Sequence, residues 1–417
     1  MRRNRWLIAA SAVGIHISIG SVYAWSVLSR PVMEAMGASL SEVTGIFSIA
    51  ILFLGFSAAF LGRLVETMGP KWSGLLSALF FCAGLLGTAL AIFMKSMGLL
   101  YLFYGCVGGI GLGVGYITPV ATLVKWFPRH RGFATGLAIM GFGFAALVAG
   151  PLMQRLTASV GLVWNFLIMA GVYACVMGVS SLYLAPPKSG DEKDALPAKE
   201  EQKVAQRRQY TRSEAVRTWQ FGVLWWIFFT NITCGIGLLA VASPMAQDVI
   251  GLSAGEAAAM VGIIGVVNGA GRIFWSTLSD WMGRGQTYMT FFLLEMAAFW
   301  ALASVRDAFA FYGLVLIIIS CYGGGFSSMP AYLSDLFGVK NLSSIHGVIL
   351  TAWGLAGLAG PLVLTLVKET TGGYTAALYL FALAMAIAFA AAFALWHWGR
   401  GGKAGIRTFP SKEGIKC

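Results

Sequence analysis

The chain has 417 residues, of which 58% are hydrophobic and only 11% charged, with a mean hydropathy of +0.77. Soluble domains carry about 25% charged residues, so this composition excludes an ordinary soluble domain and fits a polytopic membrane protein. The net charge of +12 does not mark a nucleic-acid binder, because the positive residues sit in short connections and tails between apolar runs.

The N-terminus, MRRNRWLIAASAVG, has a basic start and stays apolar to about Leu28 without a convincing cleavage site. That favours a retained first helix over a signal peptide. Apolar runs long enough to cross a bilayer as helices then recur along the chain. Twelve are expected, at 6–28, 42–63, 73–94, 99–126, 133–154, 162–185, 219–247, 255–279, 286–305, 308–335, 343–367 and 374–398. One long polar segment interrupts them, residues 186–218, with eight Lys/Arg and six Asp/Glu. It reads as a solvated cytoplasmic linker between two six-helix bundles, 1–185 and 219–398, with a cytoplasmic tail at 399–417.

With the N-terminus inside, the inner segments hold 23 Lys/Arg and the outer connections five: Arg30, Lys95, Arg155, Arg306 and Lys368. This asymmetry places both ends in the cytoplasm. Five cysteines (Cys82, Cys106, Cys175, Cys234, Cys321) lie within apolar runs and the sixth is Cys417; no CxxC or metal spacing occurs. They read as small packing residues, and no metal or cofactor is expected.

The remaining basic residue, Arg272, is the only Lys or Arg well inside an apolar run, flanked by uncharged stretches at 257–271 and 273–279. A cation at bilayer depth costs about 2.5–3.5 kcal/mol on insertion scales. Two readings account for it: pairing with a helix-end carbonyl or carboxylate, or service to an anion.

The two halves repeat each other. GRLVETMGPK (62–71) follows the second run and STLSDWMGRG (276–285) the eighth, a shift of 214 that pairs Glu66 with Asp280 and Gly69 with Gly283. A second pair of segments, ending at Leu152 and Leu362, is shifted by 210 and places Gly150-Pro151 on Gly360-Pro361. The first shift puts Arg272 opposite Ala58, so the repeat itself does not require a charge there. Parallel six-helix repeats are the arrangement of major facilitator transporters, whose substrate site lies near the midplane between the halves.

The segment after the second run resembles the major facilitator loop signature, a glycine-x-x-x-acid-x-x-glycine-basic pattern with Glu66 in the usual aspartate place. NGAGR in the eighth run, VYAWSV in the first, the tyrosine ten residues before Trp126, and KWFPRHRG together resemble the oxalate/formate antiporter group, akin to the monocarboxylate transporters for lactate and pyruvate. The resemblance covers essentially the whole chain. It implies that Arg272 binds the substrate carboxylate, and arginine's planar fork suits a carboxylate bidentately. It also implies that Tyr23 and Tyr116 line the anion site; anchoring at the membrane interface is the other reading, and Tyr116 lies too deep for it.

Asn231 and Asn268 are amides within apolar runs, both expected at the substrate pocket, and Asn268 shares the face of Arg272 four residues on. Many monocarboxylate carriers have an aspartate at the Asn268 position, which pairs with the arginine and takes part in proton coupling; this chain departs from them. In the tenth run, Tyr322 and Phe326 share a face, fitting either a pocket wall or core packing. In the eleventh, oxalate carriers of the group have a second cation, a lysine, where this chain has Trp353. A dianion needs two cations to offset its desolvation and a monoanion needs one, so a monocarboxylate is expected.

For protons, His16 lies seven residues before Tyr23 on roughly the same face. His346 begins the eleventh run, and Glu295 is a carboxyl inside the ninth, either a relay group or neutral and structural. The resemblance further implies that Glu66, Lys71, Asp280 and Arg284 latch the cytoplasmic ends of the halves.

The expected function is transport of L-lactate or pyruvate with a proton by alternating access, in a bacterial inner membrane and as a monomer. Oxalate/formate-type anion exchange is the alternative. No HExxH, serine–histidine constellation or metal cluster supports an enzyme, and no added domain is seen that would make a solute sensor.

Overall fold

The computed structural model describes residues 3–38, 40–187 and 209–400. In an apolar surrounding every backbone N–H and C=O must be satisfied within its own segment, so such runs become helices, and the described chain is helical nearly throughout. The first run forms α1 (Arg5–Gly20), a 3₁₀ turn (Ser21–Ala24) and α2 (Trp25–Met36). It passes through Pro31 and ends only at Gly37, whose left-handed backbone (φ 62°) returns its N–H to the Met33 carbonyl. The expected end at Leu28 is therefore short by two turns. Proline removes one hydrogen bond without stopping a helix whose neighbours support it.

The second and third runs form α3 (Leu40–Phe93), broken at Gly69 (φ 75°, ψ 168°) just before Pro70. There follow α4 (Met97–Leu100), a π-helical stretch (Tyr101–Gly108), α5 (Gly109–Trp126), α6 (Arg131–Val160) and α7 (Leu162–Tyr183). After the polar segment come α8 (Arg212–Val216), α9 (Trp219–Ile250), α10 (Ala254–Met282), α11 (Arg284–Leu302), α12 (Ala308–Phe337), α13 (Leu342–Thr371) and α14 (Thr375–Arg400). Among the described residues, nine stretches are long and apolar enough to cross a membrane, and one of them, Gly45–Phe93, contains the Gly69 turn. Phe60, Phe93, Trp164, Phe309 and Trp398 stand exposed on the outer surface, as lipid-facing side chains would.

Arg30, Arg155 and Lys368, expected in connections, lie on helices α2, α6 and α13. The helices run longer than the apolar stretches that signal them. The linker is only partly solvated at its described end. Tyr210 is buried against Phe337 and donates its N–H to that residue's carbonyl, and a Thr211–Glu214 capping box starts α8. Residues 188–208 of the linker and 401–417 of the tail lie outside the described residues.

Two helix pairs make the most extensive contacts between the N-terminal and C-terminal parts of the chain. α3 packs against α13, and α6 packs against α10. Both approaches depend on glycine. A Cβ on Gly347 would lie 2.0 Å from the Ala58 carbonyl oxygen, and one on Gly136 would lie 2.1 Å from Ser276 Oγ and 2.7 Å from the Arg272 carbonyl oxygen. Such small-residue contacts let backbones meet closely. The second pair brings α6 directly onto the turn of α10 that carries Arg272.

Candidate functional site

Arg272 is fully buried. Its Nε donates to Asn268 Oδ1 at 3.3 Å, the i, i+4 partner on its own helix, and its Nη1 donates to the Ile139 carbonyl of α6 at 3.3 Å. Its backbone carbonyl accepts from Ser327 Oγ at 2.7 Å, pinning this turn of α10 to α12. The guanidinium lies over Phe326, 5.2 Å from the ring centre, and within 5.9 Å of the Phe142 ring. Nη2 has no acceptor within the protein. Only one other Lys or Arg among the described residues is buried, Arg131, and it is paired with Asp335. Neutral carbonyls and ring faces orient Arg272 and leave part of its fork free, which a structural ion pair would not.

Aromatic side chains from both parts of the chain close around this cation. Tyr116 of α5 packs on Phe142 (5.5 Å between ring centres) and on Trp353 of α13 (5.2 Å); Trp353 reaches Phe326 at 4.6 Å and Phe142 at 5.6 Å. Tyr23 stands edge-on to Phe142 at 4.9 Å, and Tyr322 to Phe326 at 5.2 Å. The charge of Arg272 acts on Tyr23, Tyr116 and Tyr322, which places all three hydroxyls in its field. The Tyr116 hydroxyl and the Trp353 indole N–H are buried without hydrogen-bond partners in the protein, while the Tyr23 hydroxyl stands against both Arg272 and the Tyr322 hydroxyl. Buried polar groups are ordinarily satisfied. Here several hydrogen-bond donors and one cation converge on the junction between the Ser21–Ala24 turn, α5, α6, α10, α12 and α13, an arrangement suited to a small anion with an apolar body.

Six expected residues thus gather around Arg272: Tyr23, Tyr116, Asn268, Tyr322, Phe326 and Trp353. Asn231 stands elsewhere. Its Nδ2 lies 3.0 Å from both carboxyl oxygens of Glu295, a fully buried pair joining α9 to α11. His16 and His346 are fully buried beside Tyr116, with ring centres at 5.3 and 6.0 Å from it. Sequence reasoning passed over Phe142, which touches Tyr23, Tyr116, Trp353 and Arg272. Its flanking glycines, Gly141 and Gly143, were the available sign of a ring set in a crowded junction.

At the end of the bundle where Trp6 packs on Phe127, the two parts of the chain are latched twice. Asp280 Oδ1 accepts from the Gly132 N–H at 2.9 Å and from Arg284 at 2.6 Å, while Oδ2 accepts from the Phe133 N–H at 3.0 Å. Glu66 Oε1 accepts from the Ser344 N–H and Oε2 from its hydroxyl, both at 3.0 Å. Each acid of the repeated loop thus caps the N-terminus of a helix from the other part, where the helix dipole favours negative charge. Asp335, missed in the sequence, accepts from Arg284 at 3.0 Å and from Arg131 at 3.1 Å, a third tie across the same junction. Lys71 stands apart from Glu66, its Nζ 5.2 Å from the Trp72 ring.

The model of the Major Facilitator Superfamily matches residues 10–361. The oxalate:formate antiporter of Oxalobacter formigenes is 28% identical over 421 residues, 99% of this chain and 96% of that one. Human monocarboxylate transporter 14 is 22% identical over 454 residues, covering 91% and 88%. Among solved structures, the E. coli fucose:proton symporter aligns with a TM-score of 0.70 at 15% identity, over 94% of this chain and 99% of that one. Sequence and fold therefore agree over almost the whole length: this chain is a transporter of the Major Facilitator Superfamily.

Proposed function

We propose that the protein carries a small monocarboxylate, L-lactate or pyruvate, together with a proton, by alternating access around Arg272. One observation carries the reading: a fully buried guanidinium ringed by tyrosine hydroxyls and aromatic faces, with no carboxylate on it and, among the described residues, no second buried cation beside it. The carboxylate would take the free edge of the fork, and the Tyr23, Tyr116 and Tyr322 hydroxyls and the Trp353 N–H would donate to its remaining oxygen lone pairs. The rings of Phe142, Phe326 and Trp353 would meet the methyl end. The Asp280, Glu66 and Asp335 ties would hold the cytoplasmic end closed, leaving the site to open outward. Breaking them as the halves rock would deliver the load inward. Asn231 and Glu295 then serve as a packed pair behind the site, through α9 and α11.

The charge count separates this from oxalate exchange. In a low-dielectric site a dianion beside one cation leaves a net charge uncompensated, at a cost of several kcal/mol. Labelled lactate uptake into proteoliposomes holding the purified chain is expected to be competed by pyruvate and hardly at all by oxalate. Trp353→Lys adds a cation to the same ring cage and is expected to raise competition by oxalate about tenfold or more relative to pyruvate. Oxalate competing as well as pyruvate against the unaltered chain would reject the monocarboxylate reading.

A further inference from the structure

Three buried groups are available for the coupled proton, and their surroundings differ. Glu295 faces Asn231, with Cys234, Cys321 and Tyr288 in its field, and none of these touches Arg272. His346 has neither ring nitrogen hydrogen-bonded. His16 is engaged at both: Nδ1 lies 2.6 Å from the Ala138 carbonyl oxygen and Nε2 3.2 Å from the Tyr116 carbonyl oxygen. A neutral imidazole carries one N–H, so one of these two carbonyls meets a nitrogen lone pair. Only the imidazolium donates to both.

The position of those carbonyls links His16 to the anion site. Ala138 and Ile139 are consecutive on α6; the first carbonyl meets His16 and the second accepts from Arg272 Nη1. One peptide step of α6 thus holds both the imidazole and the guanidinium. From the helices packed around it, the ionisable groups that face His16 are Tyr116 of α5, Arg272 of α10 and His346 of α13. α6 adds Phe142 and the Ala138 carbonyl, and α7 presents the Ser180 hydroxyl to α1 at Gly14. No carboxylate is among them.

Resting on the monocarboxylate reading above, we propose that His16 is the residue that binds the co-transported proton, and that occupancy of Arg272 by the carboxylate decides when it does so. Burial away from water disfavours a charged ring at His16 first of all, and with Arg272 bare the repulsion of a second positive charge adds to it, so His16 stays neutral. A carboxylate on Arg272 cancels that repulsion. A proton from the open aqueous side then forms an N–H bond at the bare ring nitrogen, and both carbonyls are satisfied. On the other side the order reverses: the anion leaves, the repulsion returns and the N–H bond gives its proton to water. The site carries a single positive charge both empty and fully loaded, so either form can reorient with the same electrostatic cost, whereas lactate alone changes the charge that must move.

The direct test adds L-lactate to purified protein in weakly buffered detergent and follows proton uptake with a pH indicator, with tryptophan fluorescence reporting binding. The full chain is expected to take up one proton per lactate bound. His16→Gln is expected to bind lactate with proton uptake reduced at least about fivefold, and in proteoliposomes to lose gradient-driven accumulation while lactate counterflow persists. His346→Gln is expected to keep its proton uptake. Undiminished uptake in His16→Gln would overturn the assignment. Against the possibility that this variant folds poorly, a chain keeping His16 as its sole histidine (His130→Gln, His346→Gln, His397→Gln), labelled with ¹⁵N-histidine, is expected to show imidazolium signals on adding lactate. Unchanged signals with lactate bound would equally overturn it. If the unaltered chain binds lactate and takes up no proton, the symport reading itself falls, and this assignment with it.

Discussion

Arg272→Gln is expected to abolish lactate binding and uptake while leaving a folded protein. Truncating one partner of a buried charge pair costs about 2–5 kcal/mol, or roughly 30-fold to several thousandfold in affinity. Glutamine can still reach Asn268 and keeps a neutral side chain in the ring cage, so packing around Phe142 and Phe326 is largely retained. Arg272→Lys is the sharper variant. Lysine keeps the charge but offers one compact head in place of a planar fork. It cannot donate at once to Asn268, to the Ile139 carbonyl 3.3 Å from Nη1, and to a carboxylate at Nη2. A loss of at least about tenfold in apparent affinity is expected for lysine, measured by tryptophan fluorescence titration. Full lactate affinity in both variants would remove Arg272 from the site.

Asp280→Ala should shift the conformational balance further than any other single change at the latched end. It deletes acceptors for two backbone N–H groups and for Arg284, all charge-assisted, and charge-assisted bonds are worth about 1.5–3 kcal/mol each. Even one such loss, expressed as a population shift, is about tenfold to a hundredfold toward the form open at that end. Spin labels at Arg129 and Lys340, exposed residues on opposite parts of the chain, are expected to show a longer distance in Asp280→Ala than in the unaltered protein. Glu66→Ala is expected to act in the same direction and less strongly, because Asp280 also holds Arg284, which in turn ties to Asp335, whereas Glu66 caps only the start of α13. An unchanged distance distribution would show that these acids do not set the balance.

Much of this was visible in the sequence because two signals are strong in a membrane protein. Apolar length announces helices, and a charge inside an apolar run is costly enough to be meaningful. Arg272, its i−4 neighbour Asn268 and the repeated loop acids all follow from those signals. Helix ends were less legible, since Pro31 and Arg30 look like the start of a connection yet lie within α2. Partnerships between distant helices left no trace in the pattern. Asn231 and Glu295 are 64 residues apart in the chain, and nothing in either apolar run says that they meet. Phe142 was missed for a related reason: an aromatic in an apolar run looks the same whether it faces lipid, core or ligand. Only the crossing of α6 against α10 and α12 gives it its place.

Proteoliposome uptake of labelled L-lactate separates joint entry of one carboxylate and one proton from anion exchange. With an inward proton gradient and no anion inside, lactate is expected to accumulate above the external concentration. For one proton per lactate, each pH unit supplies about 1.4 kcal/mol, or about a tenfold concentration ratio. Uptake that ignores the gradient and requires a trapped internal anion would make the protein an exchanger and rule out proton symport.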